Sequence, residues 1–178
     1  VYATAATCSL ADIMLRDSAH IQMSEAEYKT RKAKRAGEPP VEPLYTVDDA
    51  KGAASCFRPC RYGECVTIAD GLRVRFSDIG HLLGSACIEF WLREGGTEKK
   101  IVFSGDVGNI DQPILNDPLP VAETDYLVVE STYGNRLHDK PKDVRAELTE
   151  VLQRAFDRGG SVIIPAFAVG RTQELLYL

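Results

Sequence analysis

From Cys65 onward the apolar residues fall into a two-residue repeat, and that alternation limits the possible folds more than any other feature of the chain. Leu72, Val74 and Phe76 alternate with Arg73, Arg75 and Ser77, the pattern of a strand with one face on a core and the other in water. Ala86 to Arg93 and Lys100 to Ser104 read as two further strands joined by a turn at Gly95-Gly96. Consecutive strands of this kind make a sheet. Beyond a proline-containing loop, Tyr126-Leu127-Val128-Val129-Glu130 is apolar on consecutive positions, which predicts a strand covered on both faces. An amphipathic helix then runs through Val144, Leu148, Val151, Leu152 and Ala155 to Gly159-Gly160, and the apolar Val162-Ile163-Ile164 follows. Strand, helix, strand predicts a parallel crossover in an α/β protein.

The first third reads as helical. Ser9 with Asp12 has the form of a capping box opening a helix that carries Leu10, Ile13 and Met14. Ser24 with Glu27 predicts the start of a second, charged helix that bears Lys29, Arg31, Lys32, Lys34 and Arg35 and stops near Gly37. Thr46 with Asp49 predicts a third, short one. Both ends read as cut: Val1-Tyr2-Ala3 begins like the end of a strand, and Thr172 to Leu178 stops inside an apolar helical pattern.

With 178 residues, 44% of them apolar, the chain has length for one domain with a sizeable core and not for two. No apolar run approaches the roughly 20 residues that cross a bilayer, and no leader pattern opens the chain. A secreted or membrane protein is disfavoured, and a cytoplasmic one expected. Five cysteines not arranged as two close pairs argue against a disulfide framework. Cys56, Cys60 and Cys65 could hold zinc only with a fourth ligand from elsewhere; packed or idle thiols are the alternative. A net charge of −5 lacks the overall basic signature of a nucleic-acid binder. Any contact with a polyanion must be local.

Polar residues sit just beyond the strands, bracketed by glycines: Gly80-His81 before Gly84-Ser85, Ser104-Gly105-Asp106 before Gly108-Asn109, and Glu130-Ser131-Thr132-Tyr133-Gly134. Strand edges are where catalytic groups collect in open α/β architectures. Singly, His81 also reads as a hydrogen-bonded loop histidine, Asp106 as a turn aspartate and Glu130 as a surface carboxylate. Together, an imidazole and two carboxylates at one sheet edge are the ligand and acid/base types of metal-assisted hydrolysis. Two protein ligands alone do not make a catalytic zinc site, which uses three or more plus water.

The segments D-I-G-H-L-L-G-S-A, F-S-G-D-V-G-N, V-V-E-S-T-Y-G-N-R-x-H and I-P-A-F-A-V-G-R-T-Q-E-L-L occur in order, and over nearly all 178 positions the chain resembles the β-CASP branch of the metallo-β-lactamase superfamily. The resemblance implies a partial αββα sandwich over residues 1–165 and the start of an inserted β-CASP domain at 166–178. It implies that His81 is a ligand of one metal, that Asp106 bridges two zinc ions and takes part in catalysis, and that Glu130 orients a neighbouring histidine or moves a proton. Ser131, Thr132, Tyr133, His138, Arg171 and Gln173 would contact substrate; an exposed loop histidine and a local ion pair to Glu174 are the alternatives for His138 and Arg171. The implied activity is hydrolysis of RNA phosphodiesters to a 5′-phosphate and a 3′-hydroxyl, with homodimers or nuclease complexes possible and no membrane partner. The basic face after Ser24 would steer RNA or simply be a solvated helix surface.

The pattern is incomplete. The first-motif aspartate, the H-x-H-x-D-H motif and the later histidines are absent from these residues and are expected before Val1 or after Leu178, so the piece alone is expected to bind metal weakly and to be inactive. A thioester or lactam hydrolase of the same fold and an inactive RNA-binding subunit are the competing expectations.

Overall fold

The computed structural model describes residues 1–137 and 143–178. In chain order these form β1 (Tyr2–Thr4), α1 (Ala5–Ala36), α2 (Val47–Ser55), β2 (Arg58–Cys60), β3 (Cys65–Ala69), β4 (Leu72–Asp78), β5 (Ala86–Glu94), β6 (Thr97–Phe103), β7 (Tyr126–Val128), α3 (Val144–Asp157) and α4 (Arg171–Tyr177). The architecture is mixed α/β, as expected. Strands β3 to β7 form one sheet in sequence order, antiparallel up to β6 and parallel between β6 and β7, while β1 and β2 pair in parallel as a second, two-stranded sheet.

The two helices expected from Ser9 and Ser24 are one. No glycine or proline interrupts residues 1 to 36, so nothing breaks the run, and the Ser9 hydroxyl donates to the Ala5 carbonyl at 3.2 Å from within the helix. The cap is Thr4, whose hydroxyl accepts from the Thr7 N–H, and the helix ends at Gly37 in the left-handed region at φ 73°. Thr46 caps α2 through the expected capping box with Asp49.

The alternation along β4 divides two cores. Val74 and Phe76 are buried with Cys60, and Val66, Ile68, Ile88, Phe90 and Tyr2 pack around them. On the opposite face Ile79, Cys87 and Val102 are buried together under Val121 of the 104–125 segment. That second face also encloses a carboxylate. Glu89, 1% exposed, accepts two hydrogen bonds from Arg75 (2.9 and 2.8 Å) and one from Ser77 (2.7 Å), and lies 2.7 Å from the Lys100 ammonium. A buried charge survives only when matched in this way.

Two expectations fail in the second half. β7 is three residues long, and Tyr126, Leu127 and Val128 are each more than half exposed rather than covered on both faces. It is the edge of its sheet, paired with β6 on one side. Val162 to Ile164 form no strand, so the parallel crossover through α3 is not made. Apolar β-branched sequence states what a segment tends to bury, whereas pairing needs a neighbouring strand in register.

Candidate metal site

Three loops leave the same edge of the large sheet and meet there. The first follows β4. Asp78 accepts from the Gly80 N–H at 3.0 Å, and the Ser85 hydroxyl accepts from the backbone N–H groups of His81 and Leu82, both at 3.1 Å. These bonds fix the backbone at position 81. The second loop follows β6 and carries Asp106; its Gly108 N–H donates to the Ile79 carbonyl at 2.9 Å. The approach is possible only because residue 108 is glycine, since a Cβ there would fall 1.9 Å from the Gly80 carbonyl oxygen. The third loop follows β7. The Ser104 hydroxyl accepts from the Glu130 N–H at 3.1 Å, and the Glu130 carboxylate accepts from the Val107 N–H at 2.5 Å, one residue beyond Asp106.

His81 and Asp106 converge: Nε2 of the imidazole lies 3.8 Å from Oδ2 of the carboxylate, with the side chains 42% and 73% exposed. That separation is too long for a hydrogen bond and leaves both atoms free to face a common ligand. Glu130 is held below the ordinary carboxylate range, first by the Val107 N–H and then by the Thr132 hydroxyl, with the nearby His81 adding to the effect. It is therefore ionised at neutral pH.

Glu130, Ser131, Thr132, Tyr133 and Gly134 line a cleft of about 320 Å³ with Val107, Gly108 and Asn109. This brings Ser131, Thr132 and Tyr133 beside the Glu130 carboxylate, in a cleft whose lining does not include His81 or Asp106. Arg136, which sequence reasoning did not single out, places its guanidinium 4.5 Å from the centre of the Tyr133 ring. His138 lies outside the described residues. Arg171 and Gln173 stand at the start of α4, and Gly170 packs against Leu82, the neighbour of His81. The Arg171 guanidinium lies 3.4 Å from the Glu174 carboxylate. The Gln173 amide is engaged within its own loop, accepting from the Gly170 N–H at 2.7 Å and donating to the Ala168 carbonyl at 3.0 Å. The sequence named Ser85, Ser104 and Gly108 around the proposed ligands, and Asp78 within the first motif, without showing that they support the site. All four are short polar residues or glycine within four positions of His81 or Asp106.

An imidazole nitrogen and a carboxylate are donor types that zinc accepts, but two donors do not complete its shell. Among the described residues no group of three or more histidine, cysteine, aspartate or glutamate side chains is placed to hold an ion. The five thiols are unpaired, with Cys60 and Cys87 buried. His81 and Asp106 thus fit as part of a ligand set.

No protein-family model matches the chain. Over its whole length it is 34% identical to the Thermus thermophilus protein named Ribonuclease TTHA0252, of which it spans 36%. It is 36% identical over 137 residues, 75% of its length, to the RNase J-like protein of Methanocaldococcus jannaschii, spanning 32% of that protein. It is 33% identical over 99% of its length to Transcription termination factor FttA of Pyrococcus abyssi, spanning 25%. Among solved structures, a subclass B3 metallo-β-lactamase of Bradyrhizobium japonicum aligns with 67% of the chain and 54% of its own at 15% identity, with a TM-score of 0.30 that is too low to bear on the fold. The chain therefore covers about a third or less of the length of these curated relatives.

Proposed function

The chain belongs to the β-CASP branch of the metallo-β-lactamase superfamily, and on that premise we propose that the whole protein is a zinc-dependent ribonuclease acting in RNA processing or decay in the cytoplasm. The observation that carries this reading is the 3.8 Å approach of the His81 imidazole and the Asp106 carboxylate, with Glu130 bonded to the very loop that bears Asp106. Residues 1–165 would be the metallo-β-lactamase part and 166–178 the opening of the β-CASP domain.

In this reading His81 and Asp106 would be two of the residues that hold the metal, the remaining ligands coming from other parts of the whole protein. When bound, a pair of such ions supplies a water acidified towards neutral pH and positive charge for in-line displacement at phosphorus. Glu130, ionised and oriented by the Val107 N–H, accepts and returns a proton or steers a neighbouring histidine. Ser131, Thr132 and Tyr133 form a cleft wall that holds a nucleotide beside the Glu130 carboxylate, and Arg171 and Gln173 would contact the RNA beyond it. Its volume reaches the lower end of the roughly 300–1,000 Å³ usual for ligand sites.

The test is hydrolysis of a labelled RNA oligonucleotide by the whole protein. Cutting is expected to leave a 5′-phosphate, to stop with a chelator, to return with zinc, and to fall about a thousandfold in Asp106→Asn, the loss of several kcal/mol of charge stabilisation. RNA cleavage indifferent to the chelator, or turnover of a thioester or lactam with RNA untouched, would overturn it.

A further inference from the structure

We propose that Tyr28, Arg31, Lys32 and Arg35 form a docking stripe for single-stranded RNA at the far end of α1, remote from the His81–Asp106 site. The proposal rests on the ribonuclease reading and adds to it where the substrate lies. The 32 residues of α1 make a rod about 48 Å long at ~1.5 Å per residue. One end is fixed to the candidate site: the Thr4 and Thr7 hydroxyls donate to the Gly84 carbonyl at 2.8 and 2.9 Å, on the loop that carries His81. The other end is braced by the returning chain. The Thr30 hydroxyl accepts from the Val41 N–H at 2.9 Å and donates to the Val41 carbonyl at 3.1 Å, and Ala26 and Ala33 are buried. Residues 28 to 35 are thus held on a fixed helix roughly 32–47 Å along its axis from the anchored end.

On that segment the buried side is Ala26, Thr30 and Ala33. Tyr28, Arg31, Lys32 and Arg35, spaced i, i+3, i+4 and i+7, share the opposite side, and all four are exposed, Tyr28 by 63%. Residues 29 to 35 hold five cations and no acid. Among the described residues only Lys29 of the five has a carboxylate in reach, Glu25 at 3.1 Å. A chain of net charge −5 thus sets four cations that make no close ion pair among the described residues on one helix end, with Glu27 and Glu38 flanking them. Favourable interaction with the helix dipole accounts for Lys34 and Arg35 in the last turn; it does not account for Arg31 or for an exposed tyrosine set among the cations. Single-stranded RNA accounts for both, because the cations displace counterions condensed on the phosphates while a base stacks on the ring.

The experiment compares the whole protein with its Arg31→Gln/Lys32→Gln/Arg35→Gln and Tyr28→Ala variants on two RNAs. One is about five nucleotides long and the other well beyond the roughly 9–14 stacked nucleotides, at ~3.4 Å each, that span the separation. Cleavage gives KM and kcat, and fluorescence anisotropy in chelator gives affinity against salt. For the triple variant, KM on the long RNA should rise about tenfold with kcat unchanged, KM on the short RNA should stay within about twofold, and the log–log salt slope should fall by about 2, near 0.7 per lost phosphate contact. Tyr28→Ala should weaken the long RNA about fivefold with the slope unchanged. If the wild type cuts the short RNA but neither variant alters the long one, the stripe is overturned and the ribonuclease reading stands. If the wild type cuts neither RNA yet the variants weaken long-RNA binding, the ribonuclease reading is overturned and the stripe stands. Loss of self-association at unchanged RNA affinity would assign the surface to a protein partner and overturn it.

Discussion

Glu89 shows how much of this molecule is decided by single side chains. Burial raises its pKa, but hydrogen bonds from Arg75, Lys100 and Ser77 outweigh that and hold the group at about 2 against an ordinary 4.5. Because the folded pKa is the lower one, the stabilisation is complete above about pH 4.5 and is lost as pH falls towards about 2, amounting to roughly 3 kcal/mol. Urea midpoints measured from pH 6 down to 2 should fall through that window. In Glu89→Gln this part of the pH dependence should vanish, with stability about 3 kcal/mol lower at neutral pH because two cations lose their partner. An unchanged acid profile in that variant would contradict the assignment. Gly108 makes a different kind of prediction: since a Cβ at 1.9 Å from the Gly80 carbonyl must push the 105–109 loop away, Gly108→Ala should cut activity of the whole protein about a hundredfold, as misplacement by about 1 Å can. Kinetics at matched melting temperature check this, and wild-type rates would refute it.

Secondary structure was legible where a local rule acts without competition. The alternation of Leu72, Val74 and Phe76 located β4, and Thr46 with Asp49 located α2, because pleat and cap are set within a few residues. Phe76→Ala should accordingly cost about 3–5 kcal/mol in urea denaturation. The start of α1 was misread because S-x-x-D and S-x-x-E also occur inside helices, and the deciding signal was the lack of any glycine or proline up to Gly37. Thr4→Ala should lower stability by about 1–2 kcal/mol through the lost cap, whereas Ser9→Ala should stay within about 0.5 kcal/mol; equal effects would restore a start at Ser9. β7 and Val162–Ile164 were read from composition alone, and composition does not say whether a partner strand is at hand. Of the site, His81, Asp106 and Glu130 were legible as polar residues beyond strands. The contacts that bring them together, Gly108 on Ile79 and Glu130 on Val107, join residues 29 and 23 positions apart, beyond the reach of any local pattern.

At the scale of the whole molecule, the large sheet serves as a frame whose one edge gathers three loops, and α1 runs from that edge to a basic end. No described helix is long and apolar enough to cross a membrane. The sequence relatives span much more chain than these residues, which is consistent with a site that presents two ligands and needs more. The account turns on His81 and Asp106 acting through bound metal rather than as loop residues that happen to meet. The most direct measurement is the metal content of the whole protein after dialysis, wild type against His81→Ala and Asp106→Ala. Two ions per chain are expected in the wild type, with loss of at least one in each variant while circular dichroism stays unchanged. Full metal occupancy in both variants would contradict the account.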